Sequence, residues 1–209
     1  RGKYFLSLLK KFKYDKKSKF IGLDYTQRFK IHINISLFIK CKYAEKNFLG
    51  YKYAIINRDI IDIKKINNTF NNNMLISIGS SDIQNISEKI KKKADPYFKK
   101  VLINKKTISE IKNKKQNFNY YKFISQYHNI ACNAGTTLLE MLYLNKNIFS
   151  FPQNKDELRF AKYLKKQGFV FEINKFNFNQ KKIYPNENKI KIDRFGLNRI
   201  YNIIKNLSE

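Results

Sequence analysis

The sequence predicts an α/β protein in which helices cover both faces of a parallel sheet. Two strand-turn-helix units follow one another between residues 128 and 171. Their strands, at 129–132 and 147–151, are short apolar runs, and apolar residues at helical spacing follow each of them. Strands without a polar face are typical of parallel sheets that are covered on both sides. The predicted fold class is therefore a Rossmann-type parallel sheet, preceded by an incomplete second α/β domain.

Single residues mark the turns and ends of these two units. In the first unit, small residues at 133–137 form the turn that leads into the helix. In the second unit, Pro152 ends the strand, Asp156 is placed to cap the helix, and Gly168 is placed to close it. The next strand is then expected at 169–171.

The whole chain is predicted to divide into three parts. Residues 1–61 form a partial N-terminal α/β domain, 62–73 an Asn-rich linker, and 74–209 the C-terminal Rossmann-like domain. The elements expected in the first part are a helix at 4–11 and strands at 19–23, 31–35 and 51–56. Those expected between residues 74 and 128 are strands at 74–78, 100–103 and 117–119 and helices at 83–93, 109–114 and 121–126. A terminal helix is expected after the segment 192–200.

The turns at 133–137 and 153–156 follow the carboxyl ends of two predicted strands and are expected to line one crevice, which is where ligands bind in parallel sheets. In the turn at 133–137, Gly135 lets a ligand approach the backbone, and Thr136 and Thr137 lie at a helix N-terminus that favours an anion such as phosphate. A second turn, at 79–82, has one glycine and is a weaker phosphate motif. An ordinary turn followed by a helix cap would use the same residue types.

Three other polar residues are candidates for a functional role or for a purely structural one. Glu140 lies one turn into its predicted helix with no cation at i+4, where Leu144 stands, so we expect it to bind a ribose hydroxyl. Asp24 ends a strand and suits either a functional site or a turn. His32 lies inside an apolar alternation, which favours a packed strand residue over a general base.

The composition constrains the class of protein. The chain has 209 residues and a formal charge of +27, which points to nucleic acid or an anionic membrane as partner. However, Lys, Asn, Ile, Phe and Tyr are enriched together, and all have codons made only of A and T, so an AT-rich genome accounts for the charge. We expect only loose attraction of polyanions at low salt.

The expected free thiols and the lack of a signal peptide favour a cytoplasmic protein. Cys41 and Cys132 have no partner at metal-ligand spacing and are expected to be free thiols in a reducing compartment. No metal site and no cofactor are predicted. No apolar run is long enough for a membrane span, and the N-terminus carries neither a starting Met nor a signal peptide, so we expect the chain to begin inside a longer protein.

Four motifs in order resemble a known family. They are residues 76–82 (ISIGSSD), 133–140 (NAGTTLLE), 152–157 (PQNKDE) and 192–200 (IDRFGLNRI). This combination resembles the UDP-sugar hydrolases of pseudaminic acid biosynthesis and the related spore-coat polysaccharide proteins, which are similar to the nucleotide-binding half of the GT-B glycosyltransferases. Residues 50–58 (GYKYAIINR) also look like the family's segment before the domain linker.

The resemblance implies a GT-B-like fold and a UDP-sugar held by the C-terminal domain. It assigns the diphosphate to two turns and the ribose to Glu140, and it places Gln153 and Asn154 near the sugar or diphosphate. The residues of the two diphosphate turns are Gly79, Ser80, Ser81, Asp82, Gly135, Thr136 and Thr137. This sequence departs from the family where Ser80 replaces a usual glycine and where Gln153 and Asn154 reverse the usual order, so the sugar is not assigned.

The family's catalytic base is a histidine in a Gly-x-Gly-His turn, and this chain has no such turn. Its catalytic residues are therefore unknown, and the chain is expected to be the nucleotide-binding part of a hydrolase or transferase with little or no activity alone. A separately encoded N-terminal half is one partner that would complete it. The alternatives are a basic polyanion- or nucleic-acid-binding protein and a non-catalytic remnant.

Overall fold

The computed structural model describes residues 19–24, 30–61, 63, 72–78, 82, 85–104, 120–170, 172–173, 178 and 192–208. The helices expected at 4–11 and 109–114, the strand at 117–119 and most of the expected linker lie outside these residues. The chain forms two compact units, one made of residues 1–55 with 195–209 and the other of residues 56–194.

The first unit contains a three-stranded parallel sheet in the order β1-β2-β3. The strands are β1 (Ile21–Leu23), β2 (Ile31–Ser36) and β3 (Ala44–Leu49). Ile33 and Ile35 of β2 are buried against Tyr53 and Ile200. The strands expected at 19–23 and 31–35 are thus confirmed, and in β2 the buried residues Ile31, Ile33 and Ile35 recur with the strand period.

The third strand was expected at 51–56, and this prediction is wrong. Gly50 has φ +116°, which turns the chain out of the sheet, and Tyr51–Tyr53 form a 3-10 helix. The strand that does pair with β2 is β3, whose Glu45 and Lys46 are exposed. An edge strand with charged residues gives a weak signal in sequence because only part of it is buried.

The terminal helix α6 (Gly196–Ser208) packs within the first unit, whereas the sequence assigned it to the C-terminal domain. Its Ile200 lies in the core beside β2, with Ile203 and Leu207 packed against that core. Arg199 Nη1 donates to the carbonyl of Lys52 at 2.8 Å. The grouping differs from the predicted division because periodicity identifies an apolar helix face but not the sheet that it covers.

The second unit contains a five-stranded sheet in the order β5-β4-β6-β7-β8, in which every pairing is parallel. Its strands are β4 (Asn73–Ser77), β5 (Lys100–Ile103), β6 (Asn129–Cys132), β7 (Asn147–Ser150) and β8 (Glu172–Ile173). Its helices are α1 (Arg58–Ile61), α2 (Ile86–Ala94), α3 (Tyr120–Ser125), α4 (Thr136–Tyr143) and α5 (Lys155–Lys166).

The central strands β6 and β7 are buried along their whole length, which confirms the predicted α/β class with a helix-covered parallel sheet. On one face, Ile76, Phe149 and Phe178 pack with Ile90 of α2. The rings of Phe149 and Phe178 meet edge to face with centroids 5.2 Å apart.

Several boundaries differ from the predicted ones. Helix α2 begins at Ile86 rather than residue 83, after Asn85 in a left-handed conformation. The cap of α5 is Asn154 rather than Asp156. Strand β8 begins just after the predicted 169–171. Gly168, with φ +76°, follows α5 as predicted. None of the helices in the described part of the chain combines the length and apolar character needed to cross a membrane.

Candidate functional site

The strand order of the second sheet creates a crevice between the carboxyl ends of β4 and β6. The chain moves from β4 to β5 on one side and then crosses to β6 on the other, so the connections that leave β4 and β6 diverge. Ser77 and Cys132, the last residues of these strands, are paired in register. Such a topological switch point is the usual ligand site of an open parallel sheet.

The N-terminus of α4 lies at this switch point. Gly135 is the residue before the helix and has an extended backbone, and no side-chain cap for the helix occurs among the described residues. Thr136 is exposed and Thr137 is half-buried. The first N–H groups of a helix without a side-chain cap are suited to an anion, and the helix dipole adds to this. The predicted phosphate turn therefore has the required position, and its role stays a prediction.

Glu140 lies one turn further into α4 and is only 8% exposed. Burial raises the pKa of its carboxyl to about 7, although a hydrogen bond from Tyr121 acts in the opposite direction. The Tyr121 hydroxyl donates to Glu140 Oε1 at 3.4 Å. Among the described residues its one donor is this neutral hydroxyl, and burying a carboxylate with so little compensation is costly, so Glu140 is unfavourable for stability at neutral pH. Such groups are often retained at functional sites.

Three polar side chains meet on the β4–β5 side of the crevice, and we call Ser77, Asn104 and Tyr120 the polar triad. The Tyr120 hydroxyl lies 3.2 Å from Ser77 Oγ and 3.3 Å from Asn104 Nδ2. Burial raises the pKa of Tyr120, the hydrogen bonds to Ser77 and Asn104 act against this, and Glu140 adds to the increase.

The polar triad was not predicted from the sequence. Its members come from the ends of β4 and β5 and the start of α3, and they meet only once the strand order is known. The one available signal was a polar residue at the end of β4, Ser77, and another directly after β5, Asn104.

The turn before α5 borders the other side of the crevice. Asn154 Oδ1 accepts a hydrogen bond from the backbone of Glu157 at 2.9 Å, and Glu157 Oε2 accepts one from the backbone of Gln153 at 2.7 Å. The Gln153 side chain donates to the carbonyl of Phe151. Asn133 Nδ2 lies 3.4 Å from Glu157 Oε1. The structure thus brings together the turns at 133 and 153–157. However, the side chains of Gln153 and Asn154 already form hydrogen bonds within their own turn.

Asp82 caps α2. Its Oδ1 accepts from the backbone of Ile86 at 2.7 Å and its Oδ2 from that of Ser87 at 2.9 Å. Partial burial would raise the pKa of this carboxyl, but hydrogen bonds from Ser87 and Ile86 and the charge of Lys89 outweigh it and lower the pKa. Asp82 therefore fills the helix N-terminus that was expected to face a diphosphate. Gly79, Ser80 and Ser81 lie outside the described residues.

We expect Asp82→Ala to destabilise the second unit by about 1–2 kcal/mol, because two N–H groups lose their acceptor. Because the pKa is lowered on folding, the contribution of the ionised carboxylate is present above the unfolded pKa of 3.8 and is lost as pH falls through the folded value. Urea unfolding at pH 7 and pH 3 measures both effects. An equal loss at the two pH values would contradict the capping role.

Two other candidates have structural roles. His32 Nδ1 accepts from the backbone N–H of Phe20 at 2.9 Å, and its ring stacks on the Phe20 ring, which agrees with a packed strand residue. Asp24 has φ +48°, and Ser36 Oγ donates to its Oδ1 at 2.6 Å.

Both cysteines are buried free thiols. Burial, with the nearby negative charge of Glu157, raises the pKa of Cys132 to about 12, so it is not a nucleophile at neutral pH. The described residues contain no cluster of three or more His, Cys, Asp or Glu that could hold a metal ion.

No family model matches the chain, and a search of curated proteins found no match. Among solved structures, the chain is similar to one described as the glycotransferase of kitacinnamycin. The two share 12% sequence identity with a TM-score of 0.45, over 85% of this chain and 50% of that one. The chain thus spans about half the length of that protein. A likeness at this level identifies neither a family nor an activity.

Proposed function

We propose that this chain is the nucleotide-binding portion of a GT-B-like UDP-sugar hydrolase or glycosyltransferase that acts in surface-polysaccharide or nonulosonic acid biosynthesis. The observation that carries the proposal is the switch point between β4 and β6, with the uncapped N-terminus of α4 beside it. The four sequence motifs that resemble this family fall on the same unit or on α6.

In this proposal each feature of the crevice has a role. The first turn of α4, at Gly135, Thr136 and Thr137, binds the diphosphate through backbone N–H groups and hydroxyls. Glu140 accepts hydrogen bonds from the ribose hydroxyls, which give its buried carboxylate donors in addition to the Tyr121 hydroxyl. The turn that contains Gln153 and Asn154 borders the sugar through its backbone and remaining amide groups.

Chemistry at the sugar requires a further group. Displacing UDP from an anomeric carbon needs a water or acceptor hydroxyl that loses its proton as the diphosphate leaves, and a general base typically contributes about 10²–10⁴-fold. The nucleotide-binding residues stabilise the leaving diphosphate and hold the sugar, but they do not remove that proton. Completion by an N-terminal half that carries the Gly-x-Gly-His turn is part of this proposal.

Calorimetric titration with UDP tests the proposal. We expect saturable binding at about 0.15 M salt that weakens less than about tenfold at about 0.5 M salt, because the pocket supplies uncharged N–H donors as well as charge.

The alternative of a general polyanion binder is favoured by the +27 charge, and it predicts a different result. Such a protein binds single-stranded DNA with an affinity that falls steeply with salt, and it does not distinguish UDP from other nucleotides. Folded protein that shows no saturable UDP binding at moderate salt would contradict the proposed function.

A further inference from the structure

Resting on the proposed nucleotide site, we propose that Asn104, held by Tyr120 and Ser77, selects the nucleobase and makes the site specific for uracil over cytosine. Of the polar triad, Asn104 and Tyr120 lie outside the sequence motifs described above, and Ser77 lies within the first of them. Two properties of the triad support the inference: its position, and the polar atoms that form no hydrogen bond with the described residues.

The triad lies close to Glu140, the residue proposed to bind the ribose. Tyr120 is followed directly by Tyr121, whose hydroxyl bonds Glu140, and the two rings meet edge to face with centroids 5.3 Å apart. With the ribose at Glu140 and the diphosphate at the N-terminus of α4, we assign the triad to the group attached to the other side of the ribose. That group is the base.

Hydrogen bonds of both its backbone and its side chain hold Asn104 in place, as a specificity site requires. The backbone N–H of Asn104 donates to the carbonyl of Ile76 at 2.8 Å, which fixes the residue beside β4 just beyond the end of β5. Its Nδ2 lies 3.3 Å from the Tyr120 hydroxyl and 3.5 Å from Ser77 Oγ. The amide nitrogen is therefore directed towards two hydroxyl oxygens.

This orientation leaves the Asn104 carbonyl oxygen to meet a ligand, since no partner for Oδ1 occurs among the residues that the structure describes. A carbonyl oxygen accepts a hydrogen bond but cannot donate one. At ring position 3, uracil carries an N–H donor, whereas cytosine carries an unprotonated nitrogen that only accepts. Asn104 Oδ1 would thus accept a hydrogen bond from the N–H at position 3 of uracil. With cytosine, Oδ1 and the ring nitrogen would face each other as two acceptors, and no hydrogen bond would form.

The alternative is that the triad only fastens α3 to the sheet. Affinity for one nucleotide does not separate the two roles, because a loosened helix could weaken any ligand. The ratio of UDP affinity to CDP affinity does separate them, because the two ligands share the ribose and diphosphate and differ only in the base.

The experiment measures Kd for UDP and CDP with the full chain and three variants. Wild type is expected to prefer UDP by about tenfold or more, the effect of one well-placed hydrogen bond against one unsatisfied group. Asn104→Ala should bring the ratio below about threefold. Asn104→Asp, which keeps an acceptor at this position, should retain the preference. The exposed Asn198→Ala, in the first unit, is the matched control and should behave as wild type.

Tyr120→Phe provides a second test if Asn104→Ala fails to fold. It removes only the hydroxyl that orients the amide, so the amide can rotate and present its nitrogen to cytosine, and the UDP preference should narrow. A ratio unchanged in whichever of these variants folds overturns the inference while leaving the proposed function intact. Equal wild-type affinity for UDP and CDP also overturns it. Absence of all nucleotide binding by wild type overturns both proposals.

Discussion

Glu140→Gln is expected to stabilise the second unit at alkaline pH and to weaken UDP binding. The native pKa of Glu140 is about 7 against 4.5 for an unperturbed carboxyl. At 1.36 kcal/mol per pKa unit, ionising this buried group costs about 3 kcal/mol of stability. Glutamine has nearly the same shape and can still accept a hydrogen bond from Tyr121, but it carries no charge.

The sign of the pH dependence follows from linkage. Because folding raises the pKa, the favourable contribution of the neutral carboxyl is complete below pH 4.5 and is lost as pH rises through about 7. The stability of Glu140→Gln relative to wild type should therefore increase between these pH values and level off above them. Urea unfolding of both proteins from pH 4.5 to pH 8.5 measures the difference.

The same variant should bind UDP about ten- to a hundredfold more weakly at pH 8, since hydrogen bonds to a charged acceptor contribute about 1.5–3 kcal/mol. Glu88→Gln, which alters an exposed carboxyl on α2, is the matched control and should change neither property. A Glu140→Gln protein that is more stable but binds UDP like wild type would show that the carboxyl has no role in ligand binding.

Gly196→Ala is expected to destabilise the first unit by at least about 3 kcal/mol, towards the upper end of overpacking effects. A Cβ atom at position 196 would lie 2.0 Å from the carbonyl oxygen of Ala54 and 2.8 Å from its carbonyl carbon. Both are backbone atoms, so no side-chain rotation can relieve the overlap. Helix α6 would have to move away from Tyr53 and from the β2 residues that its Ile200 helps to bury.

Amide hydrogen exchange provides a local readout of this change. Loss of protection in Ile200 and Ile203 with protection retained in β6 and β7 is the expected result. Gly135→Ala is the control, because its Cβ would make only ordinary contacts, the nearest at 3.5 Å from Asn133 Nδ2. If Gly196→Ala were as stable as wild type, the close packing of α6 on Ala54 would be wrong, since alanine is otherwise the better helix former.

The strands of the second sheet were predictable because burial on both faces leaves a continuous apolar run between turn residues. Strand β6 and strand β5 have the predicted bounds. Strand β3 was missed because an edge strand tolerates exposed charged residues such as Glu45 and Lys46, and such residues are also typical of loops. The unit that α6 packs against could not be read from its apolar stripe, because a stripe records burial and not the identity of the neighbour.

The candidate site was predictable only where it is local in sequence. The turn at Gly135 and the helix after it form one continuous segment, so their place at a strand end followed from the pattern. Asp82 was assigned to a ligand because a carboxylate near a helix start looks alike whether it caps the helix or binds elsewhere. The burial of Glu140 and its contact with Tyr121 depend on packing between two helices, which one sequence does not report.

The most direct test of the central claim is the location of UDP, measured by two-dimensional ¹H–¹⁵N NMR during a titration at moderate salt. The account predicts saturable shifts at the amides of Gly135, Thr136, Thr137 and Asn104, with those of β2 in the first unit unchanged. Absence of saturable shifts, or weak shifts spread along the lysine-rich surfaces of α2 and α5, would contradict a nucleotide site at the β4–β6 switch point.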